Sequence, residues 1–153
     1  MSMQPGNIGA FLDMIAYSEG TSTCTLTKND GYDVLVGGHT FIGFAGHPRI
    51  LVQVRPGLVS TAAGRYQVLA RYYDAYKALL HLPDFSPMSQ DLIAMQQIKE
   101  RGALQDIAAG NFESAVSKCK NIWASLPGAG YGQHENNLED LQVVYTTAGG
   151  TLA

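Results

Sequence analysis

Residues 7–21 read "NIGAFLDMIAYSEGT", and this stretch decides the fold because it predicts one amphipathic helix that ends in a carboxylate. Its apolar residues recur at the three- and four-residue spacing of one helix face, and they are Ile8, Phe11, Leu12, Ile15 and Ala16. Asn7 is a suitable N-terminal cap and Gly20 a suitable C-terminal stop. The pattern therefore predicts a helix from about Asn7 to Ser18 or Glu19.

The carboxylate of Glu19 is predicted to leave this helix on its buried side, because Leu12 and Glu19 are about two helical turns apart. Burial disfavours the charged form of a carboxyl group, and so does the negative end of the helix dipole. The sequence thus indicates a carboxylic acid with a raised pKa. The alternative is a glutamate that turns to solvent at a frayed helix end, since Glu is almost never fully buried unless paired.

The composition describes one globular domain of low net charge. The chain has 153 residues, of which 46% are hydrophobic and 15% charged. Its net charge of -3 argues against binding nucleic acid through phosphates or adhering stably to anionic membranes. The N-terminal segment has no basic region and no continuous apolar run, so we expect no signal peptide and synthesis in the cytoplasm.

The cysteines and histidines do not follow a metal-binding pattern. Cys24 and Cys119 are far apart and are expected to be free thiols. The four histidines are scattered without the short spacing of a metal site, and they are His39, His47, His81 and His134. We therefore expect neither a metal nor another cofactor.

The rest of the chain predicts a small sheet followed by helices. Residues 21–58 alternate glycines with short apolar runs, "YDVLVGG", "HTFIGFAG" and "RILVQVRPG", which are typical of short antiparallel strands. Helical patterns follow over about 65–81, from a Ser86 cap to Arg101, over 103–109, from an Asn111 cap to Trp123, and over about 135–148. This order predicts an α+β fold with the sheet segregated to one side.

Two segments carry side chains suited to sugar hydroxyls. "STAAGRYQ" (Ser60–Gln67) places hydroxyl and amide groups ahead of a helix, and "LPGAGYGQ" (Leu126–Gln133) is a glycine-rich loop with an aromatic ring. Such groups bind sugars through hydrogen bonds and ring stacking. The alternative is ordinary helix capping and turn formation. Helical spacing predicts that four aromatic residues belong to the core, namely Tyr72, Tyr73, Tyr76 and Trp123.

Seven stretches in the same order resemble the lambda-type phage endolysin family: "AFLDMIAYSEGT", "GYDVLVGG", "HPR", "STAAGRYQVLARYYDAY", "LPDFSPMSQD", "AMQQIKERGAL" and "NIWASLPGAGYGQ". The resemblance covers nearly the whole chain. It implies a single lysozyme-like catalytic domain over residues 1–153, with a β-rich lobe at about 21–58. The active-site cleft would then lie between that lobe and a mostly helical lobe.

The resemblance also implies an activity, that of a lytic transglycosylase of peptidoglycan. The family's single catalytic acid maps onto Glu19, and substrate contacts are expected at Ser60, Gln67 and Tyr131, with Asp33 a weaker candidate. Arg65 and Arg71 are further candidates for contact with muramyl carboxylates or peptide stems, although a solvated helix surface is the simpler interpretation of Arg71.

Two other functions are compatible with the sequence. A hydrolytic muramidase needs a second carboxylate beside Glu19, because hydrolysing glycosidases usually use two. The candidates are Asp30 and Asp33, and the expected pair is Glu19 with Asp33. Asp33 could equally fix a turn by bonding to the backbone. The second alternative is a non-catalytic peptidoglycan-binding domain.

The resemblance finally implies partners and a place of action. The expected partner is the glycan strand of peptidoglycan, and a monomer is expected. Access to the wall in the periplasm would follow permeabilisation of the cytoplasmic membrane by a holin-type protein.

Overall fold

A computed structural model describes residues 1–153, which form six helices and one two-stranded sheet. The helices are α1 (Gly6–Ser18), α2 (Ala70–Leu80), α3 (Pro87–Glu100), α4 (Leu104–Ala109), α5 (Phe112–Cys119) and α6 (Leu138–Thr147). The strands are β1 (Val52–Arg55) and β2 (Leu58–Ser60). The predicted α+β class, with the sheet apart from the helices, is confirmed.

Helix α1 lies at the centre of the helical part and packs against α3, α4 and α6. Its apolar face is completely buried at Phe11, Leu12 and Ile15, as the spacing predicts. The predicted cap is wrong, because the helix starts one residue earlier with Pro5 in the extended cap position. Asn7 instead joins two distant segments: its Nδ2 donates to the Ile107 carbonyl at 3.0 Å, and its Oδ1 accepts from the Thr151 amide at 2.9 Å.

The predicted sheet is smaller than expected. Only the third apolar run forms a strand, β1, which pairs antiparallel with β2 in the register Val52↔Ser60. The first two runs contribute isolated bridges, Val34↔Thr40 and Leu35↔Ala63. Turns replace longer pairing there because the "GG" of the first run adopts left-handed backbone angles that interrupt a strand. Val34, Leu35 and Phe41 of these runs are still buried, whereas Ile42 is fully exposed.

The helix predicted from residue 65 begins only at Ala70. Residues 63–68 form a tight turn closed by the Ala63↔Val68 bridge, in which Gln67 has a φ of 54°. A left-handed residue cannot continue into an α-helix, so the helix starts after it. Tyr72 is 46% exposed, so the prediction that it belongs to the core is wrong, while Tyr73 is buried as predicted.

The remaining helices match the predicted order with shifted ends. Ser86 caps α3 by accepting from the Ser89 amide, and Pro87 is its first residue, as predicted. Asn111 precedes α5 without a side-chain cap bond, and α5 ends at Cys119 rather than near Trp123. Helix α6 starts at Leu138, capped by the Asn137 side chain, three residues later than predicted.

Two apolar clusters stabilise the fold. The larger surrounds α1 and includes side chains from α3 to α6 together with Trp123, whose indole N–H donates to the Tyr66 carbonyl at 3.0 Å. The smaller lies beneath the β region and joins it to α2 and α3, through residues such as Leu35, Phe41, Tyr73 and Phe85. The helices around α1 form one lobe and the β region forms the other. The two lobes therefore pack against each other on either side of a cleft.

Candidate active site

An open cleft of about 980 Å³ separates the β region from the helices. It is lined by the end of α1, the turn at 34–38, the β1–β2 hairpin, the start of α2 and the segment 122–134. Glu19, the residue after α1, lines this cleft and is partly buried. The helix that the sequence predicts thus delivers its terminal carboxylate to a cavity of the size that binds ligands.

The Glu19 carboxylate is held by a chain of hydrogen bonds. Ser125 donates its hydroxyl to Glu19 Oε2 at 2.5 Å, and its Oγ lies 2.8 Å from Ser18 Oγ. Because the single Ser125 hydroxyl proton points at Glu19, Ser18 is the donor of the second bond. Asn136 Nδ2 donates in turn to Ser18 Oγ at 3.1 Å. Three donors therefore point in one direction, toward the carboxylate.

Burial raises the pKa of Glu19 above the ordinary glutamate value. The hydrogen bond from Ser125 opposes this shift because it stabilises the charged form, but desolvation is the larger effect. The raised pKa predicted from the sequence is thus confirmed in direction. Desolvation is the cause that the structure identifies for it.

Glu19 is the only carboxylate among the residues that line the cleft. Asp33 is 4% exposed and lies elsewhere, in a turn at the start of the first apolar run. Its carboxylate accepts from the hydroxyl of Thr27 and from the Lys28 amide at 3.1 Å. The structure therefore supports the turn-fixing interpretation of Asp33 and does not bring it to the cleft as a substrate contact.

Ser60 and Gln67 both line the cleft. Ser60 ends β2 and its Oγ accepts from the Ala62 amide at 3.1 Å, which leaves its hydroxyl proton free to donate. The side-chain amide nitrogen of Gln67 is already committed, because Nε2 donates to the Val34 and Gly64 carbonyls at 3.1 and 2.9 Å. Only its Oε1 remains for a ligand.

Tyr131 is 55% exposed and does not line the cleft, although Gln133 and His134 of the same loop do. The loop is shaped by Glu135, whose carboxylate accepts from the Gly128 and Gly130 amides, both at 2.9 Å. These bonds lower the pKa of Glu135.

The two arginine candidates occupy opposite environments. Arg65 is 1% exposed, and its guanidinium pairs with Asp13 at 3.0 Å, so the expectation that it contacts substrate is wrong. Arg71 lines the cleft from the start of α2. No group of three or more His, Cys, Asp or Glu side chains is arranged to hold a metal ion.

The sequence matches a known family over most of its length. Residues 9–152 fit the sequence profile of the family described as Endolysin. The chain belongs to the endolysin family. It is 56% identical to the endolysin of Escherichia phage lambda over 144 residues, which are 94% of this chain and 91% of that protein. It is also 55% identical to the endolysin of Escherichia phage P2, over 96% of this chain and 95% of that one.

Solved structures place this endolysin among the lysozyme-like folds. Bacteriophage lambda lysozyme complexed with a chitohexasaccharide matches with a TM-score of 0.95 and 53% identity, over the whole of both chains. A second structure of lysozyme from bacteriophage lambda matches with a TM-score of 0.91 and 52% identity, again over both whole chains. The predicted lysozyme-like architecture is confirmed, and this phage endolysin is an enzyme of the lysozyme type.

Three polar residues of this endolysin's site were not singled out from the sequence. Ser125 and Asn136 contact the Glu19 network from more than 100 positions along the chain, a distance that no periodicity or spacing reveals. Arg55 lines the cleft from the end of β1. None of the endolysin's helices has the length and apolar character needed to cross a membrane.

Proposed function

We propose that this endolysin is a lytic transglycosylase, which cleaves the β-1,4 bond between N-acetylmuramic acid and N-acetylglucosamine in peptidoglycan and leaves a 1,6-anhydro end. The observation that carries the proposal is the solitary carboxylate in the cleft. Hydrolysing glycosidases usually place two carboxylates around the bond, one as acid and one as base or nucleophile. Here only Glu19 lines the cleft.

Glu19 acts first as an acid. Its raised pKa keeps a population of the carboxyl group protonated in the range where an ordinary glutamate is ionised. It gives this proton to the glycosidic oxygen as the bond from C1 of the muramoyl residue breaks. The N-acetyl group of the muramoyl residue stabilises the positive charge that develops at C1.

Glu19 then acts as a base. As a carboxylate, with Ser125 donating to Oε2, it takes the proton of the muramoyl C6 hydroxyl while that oxygen bonds to C1. The proton lost in the first step is thereby restored, and no water molecule enters the product. A single residue serves both steps because its pKa lies nearer to the working pH than that of an exposed glutamate.

The muramidase alternative requires a second carboxylate, for which the sequence offers Asp30 and Asp33. Neither lines the cleft. Asp33 is buried in its own turn and bonded to Thr27 and Lys28. A carboxylate used in this way cannot also activate a water in the cleft without unfolding the turn. The geometry therefore favours the transglycosylase.

Binding of glycan is supported by the solved relative, since lambda lysozyme is described in complex with a chitohexasaccharide. We propose that Ser60 and the free Oε1 of Gln67 bind sugar groups, because both line the cleft. Tyr131 would contribute only if its loop folds further over the cleft. On the basis of family membership, we also propose that the endolysin is a monomer and acts in the periplasm. It would reach the periplasm through a membrane lesion made by a holin-type protein.

The catalytic assignment is tested by clearing of outer-membrane-permeabilised cells. Glu19→Gln should lose clearing by about 100-fold or more, because general acid-base catalysis contributes on that scale. Asp33→Asn, which keeps an acceptor oxygen for Thr27, should retain most of its activity once circular dichroism shows it folded. Equal clearing by wild type and Glu19→Gln would refute the proposal and favour a non-catalytic binding domain. Loss of clearing in folded Asp33→Asn would favour the muramidase.

A further inference from the structure

We propose that Arg55 and Arg71 form an anion-binding pair in the cleft that recognises the carboxylates which peptidoglycan carries on its muramoyl residues. This inference deepens the proposed function and rests on it. The pair would act as a specificity device that distinguishes peptidoglycan from neutral glycans.

The cleft has a charge opposite to that of the whole chain. The chain carries a formal net charge of -3, yet the residues that line the cleft include two arginines, Arg55 and Arg71, and a single carboxylate residue, Glu19. Burial favours the neutral form of that carboxylate. Low-dielectric walls lined by one sign of charge concentrate oppositely charged ligands. The cleft is therefore suited to an anion.

Neither cation is neutralised by the protein. Two of the other arginines are in ion pairs, Arg49 with Asp74 and Arg65 with Asp13. Arg55 and Arg71 are in none and are exposed. A guanidinium without a partner at a ligand cavity keeps its full donor set for a carboxylate, which it binds with two parallel hydrogen bonds.

Arg71 is also held in place by a neighbouring ring, and Arg55 lies beside an irregularity in the strand pairing. The Arg71 guanidinium carbon lies 5.0 Å from the centre of the Tyr72 ring, a stacking contact that limits the freedom of the side chain. The exposed Tyr72 ring thus serves to position Arg71. Arg55 follows an irregularity in the β1–β2 pairing between Gln53 and Arg55, and such bulges redirect side chains.

The carboxylates in question have two chemical sources. Where the stem peptide is attached, the peptide itself carries free carboxylates. Where the peptide has been removed, the lactyl group of the muramoyl residue ends in one. A chitin-type strand, built only of N-acetylglucosamine, carries neither, so it offers these arginines no charged partner.

The test compares Arg55→Gln, Arg71→Gln and the double variant with Lys77→Gln. Lys77 lies on α2 outside the cleft and gives the same loss of charge. Steady-state kinetics are measured on soluble glycan strands with stem peptides and on strands without them, and chitohexasaccharide binding is measured by calorimetry. We expect KM to rise about three- to tenfold for each arginine variant on at least one strand type, with kcat preserved. Lys77→Gln should behave like the wild type.

Which strand responds assigns the anion. A rise in KM confined to peptide-bearing strands assigns the stem-peptide carboxylates, and one confined to peptide-free strands assigns the lactyl carboxylate. Arg71→Lys, which keeps the charge and loses the planar fork, should recover part of the affinity. The difference in KM between the wild type and the arginine variants should also shrink as the salt concentration is raised, because exposed charges are screened.

Two results would overturn the inference. One is an unchanged KM on both strand types in the double variant. The other is an equal loss of affinity for the neutral chitohexasaccharide, which would make the arginines general sugar contacts. Product analysis of the wild-type reaction in the same samples keeps this outcome separate from a failure of the transglycosylase proposal.

Discussion

At the scale of single residues, the site is one carboxyl group whose proton is controlled by two opposed effects. Desolvation raises the pKa of Glu19 and the Ser125 hydroxyl lowers it. The sequence indicates the first effect, because the helical stripe of residues 8–16 leads to Glu19. It is silent on the second, because Ser125 and Asn136 reach Glu19 only through the folded chain. Neighbours along a helix are predictable, whereas partners across the fold are not.

Removing the Ser125 hydroxyl should raise the pKa of Glu19 further. Its hydrogen bond favours the carboxylate, so Ser125→Ala leaves desolvation unopposed. Because Glu19 must be protonated to start the reaction, the alkaline limb of the kcat/KM profile should move to higher pH. Ser117→Ala, an exposed serine on α5, is the control. An unmoved or acid-shifted limb would show that Ser125 does not tune Glu19.

Glu19→Gln should be more stable than the wild type at neutral pH. Folding raises the pKa of the Glu19 carboxyl group, so the group does not destabilise the fold at a pH below the ordinary glutamate pKa. As pH rises through the folded-state pKa, ionisation of the group lowers the free energy of unfolding. Thermal unfolding should thus show a higher Tm for the variant at pH 7 and little difference near pH 4. A variant that is less stable than the wild type at pH 7 would contradict the burial of an ionisable Glu19.

At the scale of elements, the turn over residues 63–68 sets the cleft wall and explains the largest error in the predicted helices. Its apolar pattern continues smoothly into α2, so periodicity alone extends the helix back to residue 65. Gly64, with a φ of 85°, and Gln67, with a φ of 54°, break that pattern. A glycine with a glutamine three residues later is too common in sequences to predict such a turn. The end of α3 shortly before Gly102, by contrast, is predictable because a glycine follows the last helical residues.

Gly64→Ala should destabilise the protein strongly. A Cβ at this position would lie 2.4 Å from Gln90 Oε1 and 2.9 Å from Phe85 Cζ, in addition to the strained backbone. Gln90 Oε1 is also the acceptor of the Arg65 amide, so it cannot move away freely. We expect a loss of about 3 kcal/mol or more in the free energy of unfolding, measured with urea.

Gly102→Ala is the matched control for that variant. Gly102 also has a positive φ, 72°, but no atom lies within 4 Å of its added Cβ. Only backbone strain applies, which costs about 1–2 kcal/mol. Equal losses for the two variants would show that the contacts of Gly64 with Gln90 and Phe85 do not matter.

At the scale of the whole molecule, a buried polar cluster joins the two lobes. The Arg65 side chain bonds to Asp13 on α1, to the Asp30 carbonyl of the β region and to the Tyr66 hydroxyl. That hydroxyl donates to Asp91 on α3 at 2.6 Å. The order of elements predicts a sheet set apart from the helices, and the family resemblance implies two lobes, but neither shows that an arginine is used between the lobes rather than at the substrate.

Arg65→Ala should destabilise the fold by about 3–5 kcal/mol, because it removes the cation that pairs with the mostly buried Asp13 carboxylate and leaves the Asp30 carbonyl and the Tyr66 hydroxyl without their donor. Arg101→Ala, which removes an exposed arginine that is in no ion pair, should change stability by about 0.5 kcal/mol or less. Urea unfolding compares the two. A small effect at Arg65 would mean that the lobes are joined by apolar packing alone.

The product of the reaction tests the central claim most directly. Peptidoglycan is digested with the endolysin in water enriched in heavy oxygen, and the muropeptides are analysed by mass spectrometry. A transglycosylase that uses Glu19 alone should leave 1,6-anhydromuramoyl ends, one water lighter than reducing ends and free of the heavy isotope. Reducing ends that carry heavy oxygen would show that a water attacks C1, and would contradict the account.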